Sequence, residues 1–168
     1  MSPAKQLTAP SDPNRPYILV CHSAQDEEAV VDLTSRVQPL VNNVYGVASD
    51  FRWYKEIAGS DQLEPALDAL IKGATIGWIL LSPDFLYSAA CLRELKHFSD
   101  TGGLTLTLIR RLPLDDPAAY VEGVTGRVIR PWGYKPYSAC ETTDQKDQFA
   151  IIVAQDLVNR WRKVAGDA

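Results

Sequence analysis

The sequence predicts an α/β protein, a mainly parallel sheet with helices on both of its faces. Residues 17–21 (Tyr-Ile-Leu-Val-Cys) and 75–81 (Thr-Ile-Gly-Trp-Ile-Leu-Leu) are short, nearly continuous apolar runs, the pattern of strands buried on both faces. Elsewhere apolar residues recur at three- and four-residue steps, the spacing of one helix face. The two patterns alternate along the chain, which favours crossover units, right-handed by rule, over separate all-α or all-β layers.

Each element has its own signal. Residues 1–16 hold four of the eleven prolines and little that can be buried, so they read as a flexible leader, with one domain over 17–165. After the first strand, Ser23 and Asp26 suggest a capping box, and Asp26, Glu27 and Glu28 suit a helix N-terminus. Val30, Leu33, Val37 and Leu40 extend that helix to about Gln38, where Pro39 makes an end plausible. A weaker strand is expected over 44–49 and a loop over 50–61. A second helix should run from near Asp61 to Gly73, with Leu63, Leu67, Leu70 and Ile71 as its stripe. The strand over 75–81 stops at Ser82-Pro83-Asp84. A third helix is expected over 87–98, a strand over 104–112, a short helix over 118–122, an edge strand over 127–130 and a final helix over 149–163.

Composition sets limits. The 168 residues suffice for one core without disulfides or metals. A net charge of −4 disfavours indiscriminate nucleic-acid binding, which needs a surplus of Lys and Arg. No apolar run approaches the roughly 20 residues that span a bilayer, and residues 1–16 lack the apolar stretch of a secretory signal. Cys21, Cys91 and Cys140, odd in number and far apart, fit reduced thiols in a cytoplasmic protein. With only His22 and His97 in addition, no metal site is expected.

In open α/β sheets ligands bind beyond the carboxyl ends of strands whose helices leave to opposite faces. If the strands over 17–21 and 75–81 are neighbours, the crevice lies between His22-Ser23 and Ser82-Pro83-Asp84-Phe85. Glu94 stands on the flank of the apolar face formed by Cys91, Leu95 and Phe98. The positions three and four residues on are His97 and Phe98, so no helical ion pair forms on that side. A partly desolvated carboxylate without a cation is a candidate functional acid; the alternative is a border glutamate that reaches water.

Tyr17-Ile-Leu-Val-Cys-His-Ser-Ala-Gln-Asp26 resembles the opening strand and turn of a Toll/interleukin-1 receptor (TIR) domain. Ser82-Pro-Asp-Phe-Leu-Tyr-Ser-Ala-Ala-Cys-Leu-Arg-Glu-Leu95 resembles that family's second strong segment, and Ile57–Asp61 sits where its BB loop would be. The resemblance covers about residues 16–165. It implies a flavodoxin-like three-layer fold with a five-stranded parallel sheet, and cleavage of NAD+ at the nicotinamide–ribose bond by a catalytic glutamate that falls on Glu94. NAD+ is then a substrate, and no cofactor is expected. It further implies self-association through the BB loop, in immune or conflict signalling, with a separate sensor or scaffold as a further possible partner. The substrate contacts expected on this reading are His22, Ser23, Trp53, Tyr54, Ala58, Gly59, Ser82, Phe85 and Tyr87.

These residues also have plainer roles. Ser23 is first a helix cap, His22 a backbone partner, Cys91 a small core residue, and the four aromatics packing groups. Gly59 either supplies a positive φ or marks a turn. The sequence departs from the family where Ala90 replaces a frequent Trp and Ala58 a frequent Pro, which favours the competing reading of a non-catalytic TIR–TIR module. A flavodoxin-like receiver or nucleotide-binding domain ranks last, because a receiver needs an acidic pair where the first strand here ends in Cys21-His22-Ser23.

Overall fold

The computed structural model describes residues 17–53, 69, 71–112 and 135–165. Four strands, β1 (Tyr17–Cys21), β2 (Asp50–Trp53), β3 (Ile76–Leu81) and β4 (Leu104–Leu108), form a parallel sheet in the order β2-β1-β3-β4. The α-helices described over their full length are α1 (Glu27–Pro39), the four-residue α2 (Pro83–Leu86), α3 (Ala89–Thr101) and α4 (Thr143–Ala165). The described sheet therefore has four strands, not the expected five. The edge strand expected over 127–130 lies outside the described residues, as do the leader, the loop holding Tyr54, Ala58 and Gly59, most of the second helix and the short helix over 118–122.

Alternation along the strands sorts two cores. Ile18 and Val20 of β1, with Ile76, Trp78 and Leu80 of β3, pack under Val30, Leu33 and Val37 of α1 and Phe149, Val153 and Leu157 of α4. Tyr17, Leu19, Cys21, Ile79 and Leu81 point the other way, against Cys91, Leu95 and Phe98 of α3. Every residue of β1 and β3 is buried, as their unbroken apolar runs require. Each large apolar side chain so covered contributes about 1.5–3 kcal/mol. The indole Nε1 of Trp78 donates to Thr107 at 2.9 Å, so the polar end of the largest core side chain is satisfied.

Gly77 sets how close α3 lies. A Cβ there would stand 2.1 Å from Cδ2 of Phe98, so the missing side chain lets the Phe98 ring rest on β3. Gly102, at φ +82°, ends α3 in the left-handed conformation and donates its N–H to Phe98 at 3.1 Å.

Several boundaries differ from the sequence expectation. The second strand lies at 50–53, not 44–49, because Pro39 does not stop the chain. Proline removes one rung of the helical ladder, and the bonds beyond it are re-made at five-residue spacing over Leu40–Val44, with Tyr45 N–H donating to Leu40. The third helix divides into α2 and α3 because Ser82 and Ser88 each cap a start of their own. The strand expected over 104–112 ends at Leu108. The final helix begins six residues before the expected Phe149. Thr142 accepts from Gln145 N–H while the Gln145 side chain accepts from Glu141 and Thr142 N–H, a reciprocal cap.

Candidate functional site

β1 and β3 are hydrogen-bonded neighbours, and the helices that follow them leave to opposite faces: α1 to one, α3 to the other. The turns after their carboxyl ends therefore flank a topological switch point, the place the strand pattern indicated.

Asp26 stands at the centre of this edge. Its side chain is 1% exposed and accepts two hydrogen bonds, one from the Ser82 hydroxyl and one from Arg110 Nε at 2.6 Å. Ser82 Oγ also accepts from Phe85 N–H at 3.1 Å. One carboxylate thus joins the turns after β1, β3 and β4. Water cannot replace these partners inside, so each matters more than at the surface. The sequence marks Asp26 only as a capping-box and helix-dipole residue. The only available signal was the three-residue step from Ser23 to Asp26, which does not say what the carboxylate touches.

Glu94 lies wholly inside. It is 0% exposed, and among the described residues neither carboxyl oxygen has a hydrogen-bond partner at normal distance. The helical spacing places it on the flank of its apolar face; the close seat of α3, allowed by Gly77, carries it inward with Leu95 and Phe98. Burial pushes its pKa up to about 8, and the Cys21 thiol and the Arg93 charge offset only part of that. The Cys21 thiol points at the Leu19 carbonyl, 3.6 Å away, and is itself pushed well above its ordinary value, first by burial and then by Glu94. Glu94 is therefore mostly a neutral acid at pH 7, next to the last residue of β1. Cys91, one turn earlier on α3, directs its thiol at the His22 carbonyl, 3.8 Å away.

The remaining candidates separate. His22 is buried, and its Nδ1–H donates to the Ser23 carbonyl at 2.8 Å. Ser23 caps the turn over Ala24–Asp26 by accepting from Gln25 N–H. Phe85 is buried in the same core as Cys21, Cys91 and Leu95. Trp53 is 7% exposed in the core on the opposite face of the sheet, away from the α3 side, with its indole N–H unpartnered among the described residues. Tyr87 is 89% exposed. The structure thus places Ser82 and Phe85, both buried, at the carboxyl end of β3 on the α3 side and Trp53 on the opposite face; Tyr54, Ala58 and Gly59 lie outside the described residues.

Comparison with protein-family models, with curated proteins and with solved structures gave no match for the chain. Its functional reading therefore rests on its own residues and topology. Among the described residues, no helix is long and apolar enough to cross a membrane.

A separate open cavity of about 590 Å³ lies on the α1 side of the sheet. Its wall includes Glu28 and Asp32 of α1, Arg110 after β4, Tyr137 and Ser138 of the 3₁₀ turn over Tyr137–Ala139, and Lys146 of α4. It shares Arg110 with the Asp26 cluster, and Glu94 is not in its wall.

Proposed function

We propose that this chain is a TIR-like NAD+ glycohydrolase with a flavodoxin-like fold, active when copies self-associate through the segment around Ile57–Asp61, in immune or conflict signalling in the cytoplasm. The single observation that carries the proposal is Glu94: a carboxyl on α3 with no hydrogen-bond partner at normal distance among the described residues, buried beside Cys21 at the carboxyl end of β1. Fixing an acid there without a partner gives up stability, and such groups concentrate at functional sites.

The chemistry suits one carboxylate. The nicotinamide nitrogen of NAD+ is already cationic, so the glycosidic C–N bond breaks without a general acid. Its electron pair goes to the ring, which leaves as neutral nicotinamide. The ribose carbon becomes oxocarbenium-like, as in glycoside hydrolysis. An ionised Glu94 facing that carbon, and accepting from the ribose hydroxyls, would stabilise the developing cation more than the ground state. Water then adds and releases a proton, giving ADP-ribose; capture by the adenine end gives a cyclic product instead. Catalysis requires Glu94 to be uncovered and ionised, which is consistent with an inactive dilute monomer.

The deciding experiment incubates the assembled chain with NAD+, at high concentration or on a scaffold, and separates products by chromatography. Nicotinamide release by the wild-type chain and its loss in Glu94→Ala are expected. Full turnover by Glu94→Ala would overturn the assignment. The second reading, a non-catalytic TIR–TIR module, is favoured by the complete burial of Glu94 and by Ala90 and Ala58. It predicts association with no nicotinamide released in any assembled state.

A further inference from the structure

We infer that the cavity on the α1 side binds a small phosphorylated sugar, with its phosphate received by Arg110 and Lys146. This does not depend on the NAD+ reading, because Glu94 is not among the residues lining the cavity.

The volume, about 590 Å³, falls within the ~300–1,000 Å³ range of small-molecule sites. Two cations line it with donors to spare. Arg110 gives only Nε to Asp26, so both terminal nitrogens remain uncommitted among the described residues. The buried carboxylate behind it holds the guanidinium in place, and an anion can be met without reorganisation. Lys146 Nζ is 4.0 Å from Asp32, at the limit of an ion pair, and makes no side-chain hydrogen bond among the described residues. The Ser138 side chain, exposed on the same wall, adds a hydroxyl.

The opposing acids select what the phosphate is attached to. Asp32 is compensated from within the protein: the Tyr137 hydroxyl donates to it, and Arg36 Nε lies 3.5 Å away. Glu28 is exposed at the rim. Both can accept hydrogen bonds from hydroxyls, which a sugar supplies and a bare anion does not. Among the described residues the cavity offers no open aromatic face to a nucleobase, since the Tyr137 ring is buried, with Phe149 packed against it at 5.1 Å between centroids.

The test is calorimetric titration of the full 168-residue chain with ribose 5-phosphate, ribose and inorganic phosphate. Ribose 5-phosphate should bind about tenfold or more tightly than either fragment, as expected for charge-assisted bonds combined with hydroxyl contacts. Lys146→Ala should weaken ribose 5-phosphate about tenfold with the helical content unchanged, because the side chain is part-exposed and its loss opens no core cavity. Glu28→Gln should weaken ribose 5-phosphate and leave inorganic phosphate unchanged. Equal affinity for ribose 5-phosphate and inorganic phosphate, or undiminished binding by Lys146→Ala, would overturn the inference.

Discussion

Ser82 donates its hydroxyl to the carboxylate of Asp26, fastening the turn after β3 to the turn after β1. Because Asp26 also accepts from Arg110, the two bonds act as one unit. Ser82→Ala removes this bond and the cap on Phe85 N–H, and should cost about 1–2 kcal/mol. Asp26→Asn keeps the shape but loses the charge facing Arg110, and should cost about 2–3 kcal/mol. Urea denaturation of both single variants and the double variant should show non-additivity of about 1 kcal/mol. Simple additivity would mean that the two turns are held independently.

Gly77→Ala tests how α3 is seated. The added Cβ would meet the Phe98 ring at 2.1 Å, so the helix or the ring must move. The expected loss is about 1–3 kcal/mol, the usual range for overpacking a core. Phe98→Leu in the same chain should recover part of it. A neutral Gly77→Ala variant would show that α3 is not held against β3 by this contact.

The sheet was legible in the sequence because β1 and β3 are buried on both faces and carry unbroken apolar runs. Their adjacency and the opposite exits of α1 and α3 entered the sequence argument only as a condition, which the strand pairing and the two cores meet. β2 was misplaced because it reads Asp-Phe-Arg-Trp, with Asp50 paired to Arg52, so its apolar face is only half the strand. The continuation past Pro39 was hidden because a proline normally ends a helix, and only the five-residue bonding beyond it shows otherwise. At the site, periodicity placed Glu94 on the flank of its helix and could not reveal its full burial, which depends on a glycine in another element. The Asp26–Arg110 contact spans 84 residues of sequence, beyond any local pattern.

The stability of the fold should carry the signature of Glu94. Its folded pKa is raised from 4.5 to about 8, so the folded state holds a proton that the unfolded state releases. Stability should therefore fall as pH rises from 4.5 toward 8 and level off above, by up to roughly 5 kcal/mol if linkage is ideal. Glu94→Gln cannot ionise, so it should lack this slope. Denaturation midpoints of both proteins at pH 5, 6.5 and 8 check the prediction, and parallel curves would contradict it.

Asp32 behaves in the opposite sense. The Tyr137 hydroxyl is the largest of the influences that hold its carboxyl below the ordinary 3.8. The stabilisation is present above that pH and is lost as pH falls through the folded value. Tyr137→Phe should cost about 1 kcal/mol or less at pH 7, since Asp32 is 40% exposed, with the gap narrowing below pH 3.8. Thermal melts of the two proteins at pH 3 and pH 7 measure both parts.

The most direct measurement is the rate of nicotinamide release from NAD+ by the assembled chain between pH 6 and pH 9, beside Glu94→Gln under the same conditions. The account predicts that the wild-type chain releases nicotinamide across this range and that the glutamine variant releases none above background. A glutamine variant that matched the wild-type rate throughout would contradict it.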